Sequence, residues 1–478
     1  MEIEDGPLDL LIRGGTVVTE TGRRSANVAV RGPSITSVSD EEPPAHRVID
    51  ATGLLVLPGG IDAHTHFNSE WPFPNERRPA DGFESGTRGA AAGGITTVCD
   101  FVYPLRDESL MTALDRVIDD ASSSYIDVAL HMVVINLRDA FVAEVHDVVE
   151  AGCPSFKFYT SASDFVVNRG AYLRLLARVG EEGGLAMFHC EDPAIVDHCR
   201  MQLVSAGRLA PRFYPQSKPV QAELSATVQA IAMASVAGVP CYVVHLSAAT
   251  VLDEALLRRA RGASVQVETR PLYLYLTEVM FDADDATAAQ YIGTPPLRGE
   301  EDRARLWQAL AAGEVDVVAS DHVGFTASQK YMPGDTFESV PKGVPNVESL
   351  LPMLYSEGVH GGRISLERMV QVIATNPARV FGLYPRKGTI AVGSDADLCI
   401  LDPNERRVMS GADLHSAADL ELFEGWEVTG WPIYTISRGE VIYERGAVVG
   451  RPGRGLFVRG VPRTGEPTRD GGRPSDSR

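Results

Sequence analysis

Four histidines, one lysine and one aspartate fall at or near the ends of short apolar runs that read as strands. They are His64 and His66 in GGIDAHTHF, Lys157 in PSFKFYT, His189 in LAMFHC, His245 in PCYVVHLS and Asp321 in VDVVASD. Alternate residues of a strand face the same way, so His64 and His66 share a face. A lone histidine at a strand end is more often a structural hydrogen-bonder than a ligand. Six such groups in one domain point instead to a joint metal site. Imidazole suits Zn2+ and similar divalent metals, and a carboxylate adds charge. A protonated lysine between two cations would be repelled. A lysine that has captured CO2 is a carbamate, carries negative charge and can bridge two metals. Bridged metals acidify a shared water, giving hydroxide near neutral pH, and polarise a carbonyl oxygen. Asp321 can take the proton from that hydroxide as attack proceeds and pass it to a leaving nitrogen. The expected chemistry is hydrolysis of an amide-like bond. His131 has a weaker claim, because it begins the MVV run rather than ending it. His46, His146, His198, His360 and His415 fall in loops or helices and are expected to face solvent.

These groups need a scaffold that gathers strand ends at one rim. Eight candidate strands run from GGIDAHTHF to VDVVASD, with ITTVCDFV, DVALHMVV and ASVQVETR completing the set. Between them lie segments such as SLMTALDRVIDDASS, RDAFVAEVHDVVEAG and VQAELSATVQAIAMASVAG, whose apolar positions recur at three and four. Strands alternating with helices pair in parallel. Closing eight such units gives an α/β fold, the (β/α)8 TIM-type barrel, with its chemistry at the C-terminal ends of the strands. An open doubly wound sheet is the alternative, but the sequence has no GxGxxG after an early strand and no GxxxxGK[ST]. Both chain ends are rich in β-branched residues broken by Gly, Pro and Asp. Residues 1–58 and 385–460 are therefore expected to form a small β-sandwich domain around a barrel of residues 59–384. Residues 461–478, rich in Gly, Pro, Ser and charge, are expected to be a flexible tail.

Composition excludes some classes. The 478 residues carry 44 Lys and Arg against 64 Asp and Glu, a formal charge of −20. That balance argues against nucleic acid and anionic membranes as partners. The six cysteines form no CxxC pair and read as reduced thiols. The first residues, MEIEDGPLDL, lack a basic and apolar leader, and no apolar run approaches the ~20 residues of a membrane helix. A cytoplasmic protein with no membrane association is expected.

The segments GGIDAHTHF, FKFYTS, FHCED, VHLS and ASDH together resemble the amidohydrolase superfamily. More narrowly, AAAGGITTVCDFVYP, VETRPLYLYL, IGTPPLR, ATNPARVFGLYPRKGTIAVGSDADLCILDP and FEGWEVTGWPIYTISRGEVIYERG resemble its dihydropyrimidinase/hydantoinase branch of cyclic amidases. The resemblance implies two divalent metal ions per chain, Zn2+ being the expected metal. His64, His66 and Asp321 would bind one, His189 and His245 the other. Carboxylated Lys157 would bridge them, with Asp321 as the catalytic proton shuttle. The implied activity opens a cyclic amide or imide of dihydropyrimidine or hydantoin type and yields an N-carbamoyl amino acid-like product. The implied partners are that small molecule and further copies of the chain, as a tetramer or dimer. An apolar surface helix at SLLPMLYSE would permit such an interface.

Several positions depart from the branch. Ala162 stands where a tyrosine donor to the oxyanion is usual, five residues after Lys157, and Tyr159 lies only two residues on. Losing one such donor costs about 10²–10³ in rate unless another group replaces it. Lys342 replaces an asparagine, with Asn346 four residues further, and Thr294 replaces a serine. Arg270 replaces a cysteine. Thr294, Arg270, Lys342, Asn346 and Tyr159 are the candidate substrate-binding residues. The added charges of Arg270 and Lys342 suggest an acidic substrate, unless both are surface or salt-bridged groups. The alternatives are an allantoinase-like enzyme and a non-catalytic dihydropyrimidinase-related scaffold protein, against which the full metal set speaks. A dihydroorotase ranks lower, because Asn68 stands where an arginine is usual.

Overall fold

A computed structural model describes residues 6–67 and 77–463. Asn68 and residues 464–478 of the expected tail lie outside the described residues. The chain opens with β1 (Leu8–Thr19), β2 (Gly22–Arg31), β3 (Ser34–Ser39), β4 (Ala45–Asp50) and β5 (Leu55–Pro58). Eight strands then alternate with helices: β6 (Gly60–Thr65), β7 (Ile95–Val102), β8 (Asp127–Val134), β9 (Ser155–Tyr159), β10 (Leu185–His189), β11 (Cys241–Val243), β12 (Val265–Thr269) and β13 (Val317–Val318). Four more follow: β14 (Leu398–Val408), β15 (Glu427–Ser437), β16 (Glu440–Glu444) and β17 (Ala447–Val448).

β6 to β13 form one parallel sheet in sequence order. Each of the eight lies within a run expected from the sequence. β6, β7 and β8 are buried at every residue, as strands covered on both faces must be. The seam between β13 and β6 is closed by a parallel bridge of Thr65 with His322. His66 N donates to His322 O at 2.9 Å and Ser320 N to Asp62 Oδ1 at 3.0 Å across the same seam. The barrel thus closes beside three of the expected site residues.

The helices form where apolar positions line one face. Leu110–Ala121 buries Leu110, Ala113, Leu114, Val117 and Ala121, and Ser109 caps it by accepting from Thr112 N at 3.0 Å. Val220–Ala237 ends at Gly238, whose φ of +70° favours glycine. Each large apolar side chain buried this way contributes roughly 1.5–3 kcal/mol.

The remaining nine strands form a second sheet in the order β17-β16-β15-β14-β5-β1-β2-β3, with β4 beside β1. It is mostly antiparallel, but β4 and β5 run parallel to β1. Lys387 ties the two sheets together. Its buried ammonium lies 2.8 Å from Asp127 of β8, 3.1 Å from Asp395 and 2.5 Å from Asp397. Those three carboxylates could group around a cation, and the lysine already supplies one. Val461 N and Arg463 N still donate to Gly382 O and Gly183 O, so the last described residues remain attached to the barrel.

Two expectations need correction. The segment SLLPMLYSE is interior rather than a surface helix: Leu350, Leu351, Met353 and Leu354 are fully buried. His415 is half-buried and its Nδ1 pairs with Glu348 Oε1 at 2.7 Å, whereas His46, His146, His198 and His360 are exposed. Among the described residues no helix is long and apolar enough to cross a membrane.

Glu421, in the loop before β15, gives a stability prediction. Burial pushes its carboxyl up to about 7, and Glu348 and Glu424 add to the rise. A carboxyl raised above its unfolded value favours the fold at low pH, and that contribution is lost as pH rises towards 7. The shift corresponds to about 3 kcal/mol at most. Glu421→Gln keeps an oxygen for Phe423 N, which donates at 2.9 Å. The variant is expected to melt higher than the parent at pH 8 and nearly with it at pH 5. A Tm difference that does not widen with pH would reject the assignment.

Candidate active site

The six expected residues meet at the ends of the barrel strands. His64, His66, Lys157, His189, His245 and Asp321 all line one cavity of about 330 Å³. A larger cleft of about 820 Å³ lies around the loops preceding β10, β11 and β12, and it holds none of them. His245 and Asp321 sit at φ +38° and +50°, in the left-handed region. For residues other than glycine this costs on the order of 1–3 kcal/mol each, and such strain is concentrated where side chains must be aimed.

Nearby carboxylates orient the imidazoles. Glu268 Oε1 lies 2.8 Å from His64 Nδ1 and accepts its proton, which leaves His64 Nε2 facing Asp321 Oδ1 at 3.1 Å. His66 Nε2 faces the same oxygen at 3.1 Å. Glu268 also accepts from the backbone of His245 and from the Tyr242 hydroxyl. Glu191 Oε2 lies 2.9 Å from His189 Nε2, which turns Nδ1 towards His245 Nε2 at 3.0 Å. Lys218 Nζ closes on Glu191 at 2.5 Å. Hydrogen-bonded carboxylates behind histidines are the usual way to fix a ligand's tautomer and orientation.

Burial sets the charge states. It lowers His66 to about 4 and also lowers His189 and His245, so these rings are uncharged at neutral pH. Burial pulls His64 down too, but Glu268 and Asp321 outweigh it and leave it raised. Burial brings Lys157 down to about 8, and its Nζ lies over the Phe101 and Tyr159 rings at 5.0 and 5.4 Å. Burial would raise Asp321, but Arg270 and His64 hold it well below the usual carboxylate range.

Metal cations suit this donor set. The ligand atoms of His64, His66 and Asp321 lie within 4.8 Å of one another. The nitrogens of His189 and His245 face each other, and Nδ1 of His245 is buried without a hydrogen-bond partner among the described residues. Three of the four rings are neutral, as metal ligation requires.

The candidate substrate residues divide. Tyr159, Thr294 and Lys342 lie on the cavity wall. Arg270 does not: it is fully buried, with Nη1 2.9 Å from Asp321 Oδ2 and Nε donating to Ser320 O at 3.1 Å. Its charge is matched inside the protein, so its expected contact with substrate is corrected to an anchor for Asp321. Asn346 is 4% exposed and off the wall, and neither of its amide atoms has a hydrogen-bond partner among the described residues. Ala162 occupies the N-cap position of the short helix Ser163–Val167 without a capping side chain, and Ser161 takes the wall position. His131 is a structural residue, held by Ser155 Oγ at 2.5 Å and Ala63 O at 3.2 Å.

Sequence reasoning missed Tyr103, Glu191, Lys218 and Glu268. Tyr103 follows the end of β7 and Glu191 lies two residues past His189, so both carried the strand-end signal. Buried Lys330 was missed as well. Its Nζ donates to the carbonyls of Ile292, Pro341 and Gly343 at 2.6, 2.8 and 2.6 Å. It thereby fastens the two loops that carry Thr294 and Lys342. In the second loop a Cβ on Gly343, at φ +150°, would fall 2.5 Å from Val323.

A family model described as "Amidohydrolase family" matches residues 55–152 and 219–442. The chain is 36% identical over 455 residues to a D-hydantoinase of Ralstonia pickettii, covering 95% of this chain and 99% of that one. A solved structure of D-hydantoinase superposes with a TM-score of 0.92 at 36% identity, over 96% of this chain and 100% of the other. The crystal structure of dihydropyrimidinase from Brevibacillus agri NCHU1002 superposes at 0.91 with 34% identity, over 95% and 99%.

Proposed function

The chain belongs to the amidohydrolase family, and from that premise we propose that it is a metal-dependent hydrolase that opens a cyclic amide or imide of hydantoin or dihydropyrimidine type. The product is an N-carbamoyl amino acid-like compound. The observation that carries this reading is the convergence of four imidazoles, Lys157 and Asp321 on one cavity wall. Similarity to a D-hydantoinase along 95% of the chain supports the ring class.

His64, His66 and Asp321 would hold one divalent cation and His189 and His245 a second, with zinc the metal that best suits the imidazoles. Lys157 would lie between them as a carbamate. Its neutral Nζ attacks the carbon of CO2, an N–C bond forms, and one proton leaves to solvent, so the group carries one negative charge. Bound there, the cations supply Lewis acidity towards a ring carbonyl and make a water acidic enough to react near neutral pH. The rest is done by the chain. Arg270 fixes the Asp321 carboxylate from behind. Asp321 takes a proton from the attacking water and returns it to the leaving ring nitrogen. Thr294 and Lys342 bound the space the ring occupies.

The test is a panel of hydantoin, dihydrouracil, allantoin and carboxylated analogues, read by loss of ring absorbance, with metal analysis of the same preparation. Close to two metals per chain, and activity lost to a chelator, are expected. A metal-free protein that opens no ring would leave a scaffold role instead.

With Arg270 engaged by Asp321, the case for an acidic substrate rests on Lys342. Lys342→Asn is expected to raise KM about 10-fold for carboxylated rings, the loss of one charge-assisted hydrogen bond, and to leave neutral rings unchanged. Equal or better turnover of neutral rings by the parent enzyme would reject the acidic preference. A homo-oligomer, tetramer or dimer, is part of the same proposal. Helix Pro193–Ser205 supports it, because it buries only Leu203 and leaves Met201 59% exposed. Light scattering would decide it.

A further inference from the structure

We infer that Tyr159, oriented by Tyr103, donates the hydrogen bond that stabilises the oxyanion formed when the ring carbonyl is attacked; this rests on the ring-opening reading above. Attack on an amide carbonyl moves charge onto oxygen. A donor already aimed at that position lowers the barrier without reorganising. Ala162 offers no such donor.

Two phenols do. Tyr103 follows β7 and Tyr159 ends β9, two residues after Lys157 and on the same face of that strand. Both line the cavity, and their hydroxyls lie 2.6 Å apart. The Tyr159 ring is 5.3 Å from the His189 ring, centroid to centroid, so it stands against the expected metal wall.

The hydrogen bonds have a direction. With His66 Nε2 given to the proposed cation, the ring's proton would reside on Nδ1, which lies 3.4 Å from the Tyr103 hydroxyl. Tyr103 would accept there and so donate to Tyr159, 2.6 Å away. Tyr159 accepts from Tyr103 and keeps its own proton for the cavity. An ordinary phenol, with pKa ≈ 10, stays protonated at neutral pH. The other wall hydroxyl with an established contact, Thr294 Oγ1, is 2.8 Å from Tyr214, and Lys218 is paired with Glu191. Ser161 is the remaining rival hydroxyl on the described wall.

Tyr159→Phe keeps the ring and removes only the hydroxyl. It is expected to lower kcat about 10²-fold, with KM within about threefold and metal content unchanged. Affinity for a tetrahedral mimic of the attacked ring should fall in parallel with kcat. Tyr103 acts through Tyr159, so Tyr103→Phe should cost about 10-fold, and the double variant should be no slower than Tyr159→Phe alone. A Tyr159→Phe enzyme within about threefold of the parent kcat overturns the assignment while ring opening stands. So does a comparable loss in Ser161→Ala with Tyr159→Phe unaffected. If the parent enzyme opens no ring, both readings fall.

Discussion

Lys157→Ala is expected to lose metal and turnover together. The side chain is buried in the middle of the cavity wall, and in the proposed carbamate form it brings a negative charge between two cations. Alanine removes that charge and leaves space behind it. Metal content should fall below two per chain. The metals' share of transition-state stabilisation is several kcal/mol, so turnover should drop by about 10³-fold or more. A small carboxylate such as acetate should restore part of the activity, because it can occupy the vacated space with the same charge. A chloride salt of equal ionic strength should not. An alanine variant that binds two metals and turns over at the parent rate would rule out the bridge.

Asp321→Asn has the second largest expected effect, on two quantities that can be separated. A lost proton shuttle costs about 10²–10⁴ in rate. Asparagine also leaves the Arg270 guanidinium buried without its counter-charge, 2.9 Å from where a carboxylate oxygen stood. Breaking one side of a buried pair costs about 3–5 kcal/mol, so the variant should also melt lower. Adding Arg270→Met removes the stranded charge. The double variant should regain stability and remain slow. Recovery of turnover together with stability would mean that Asp321 serves only to neutralise the arginine.

The fold was largely legible because parallel strands buried on both faces must be apolar along their length, and runs such as ITTVCDFV and DVALHMVV advertise that. The gathering of His64, His66, Lys157, His189, His245 and Asp321 at one wall follows from strand-end position alone. Direction of a long side chain does not. Nothing in ETRPLYL says that the guanidinium of Arg270 turns back to Asp321 rather than out to a ligand. Glu268, two residues before it in the chain, reaches His64 across the barrel for the same unreadable reason. SLLPMLYSE looked like an interface because its apolar residues had no assigned partner, and the partner is the protein's own core. Tyr103 was within reach of the sequence argument, since it directly follows a strand. A search confined to ionisable groups passed over a hydroxyl.

The pairing of β5 with β14 has a consequence for how the molecule comes into being. Leu398 is matched to Pro58 and Leu401 to Leu55, so one edge of β5 finds its neighbour only after nearly the whole barrel has left the ribosome. During synthesis that edge, apolar and with open amide and carbonyl groups, is the kind of surface that captures other nascent strands. Yield during expression should therefore depend on how quickly the last quarter of the message is translated, whatever the final stability of the product.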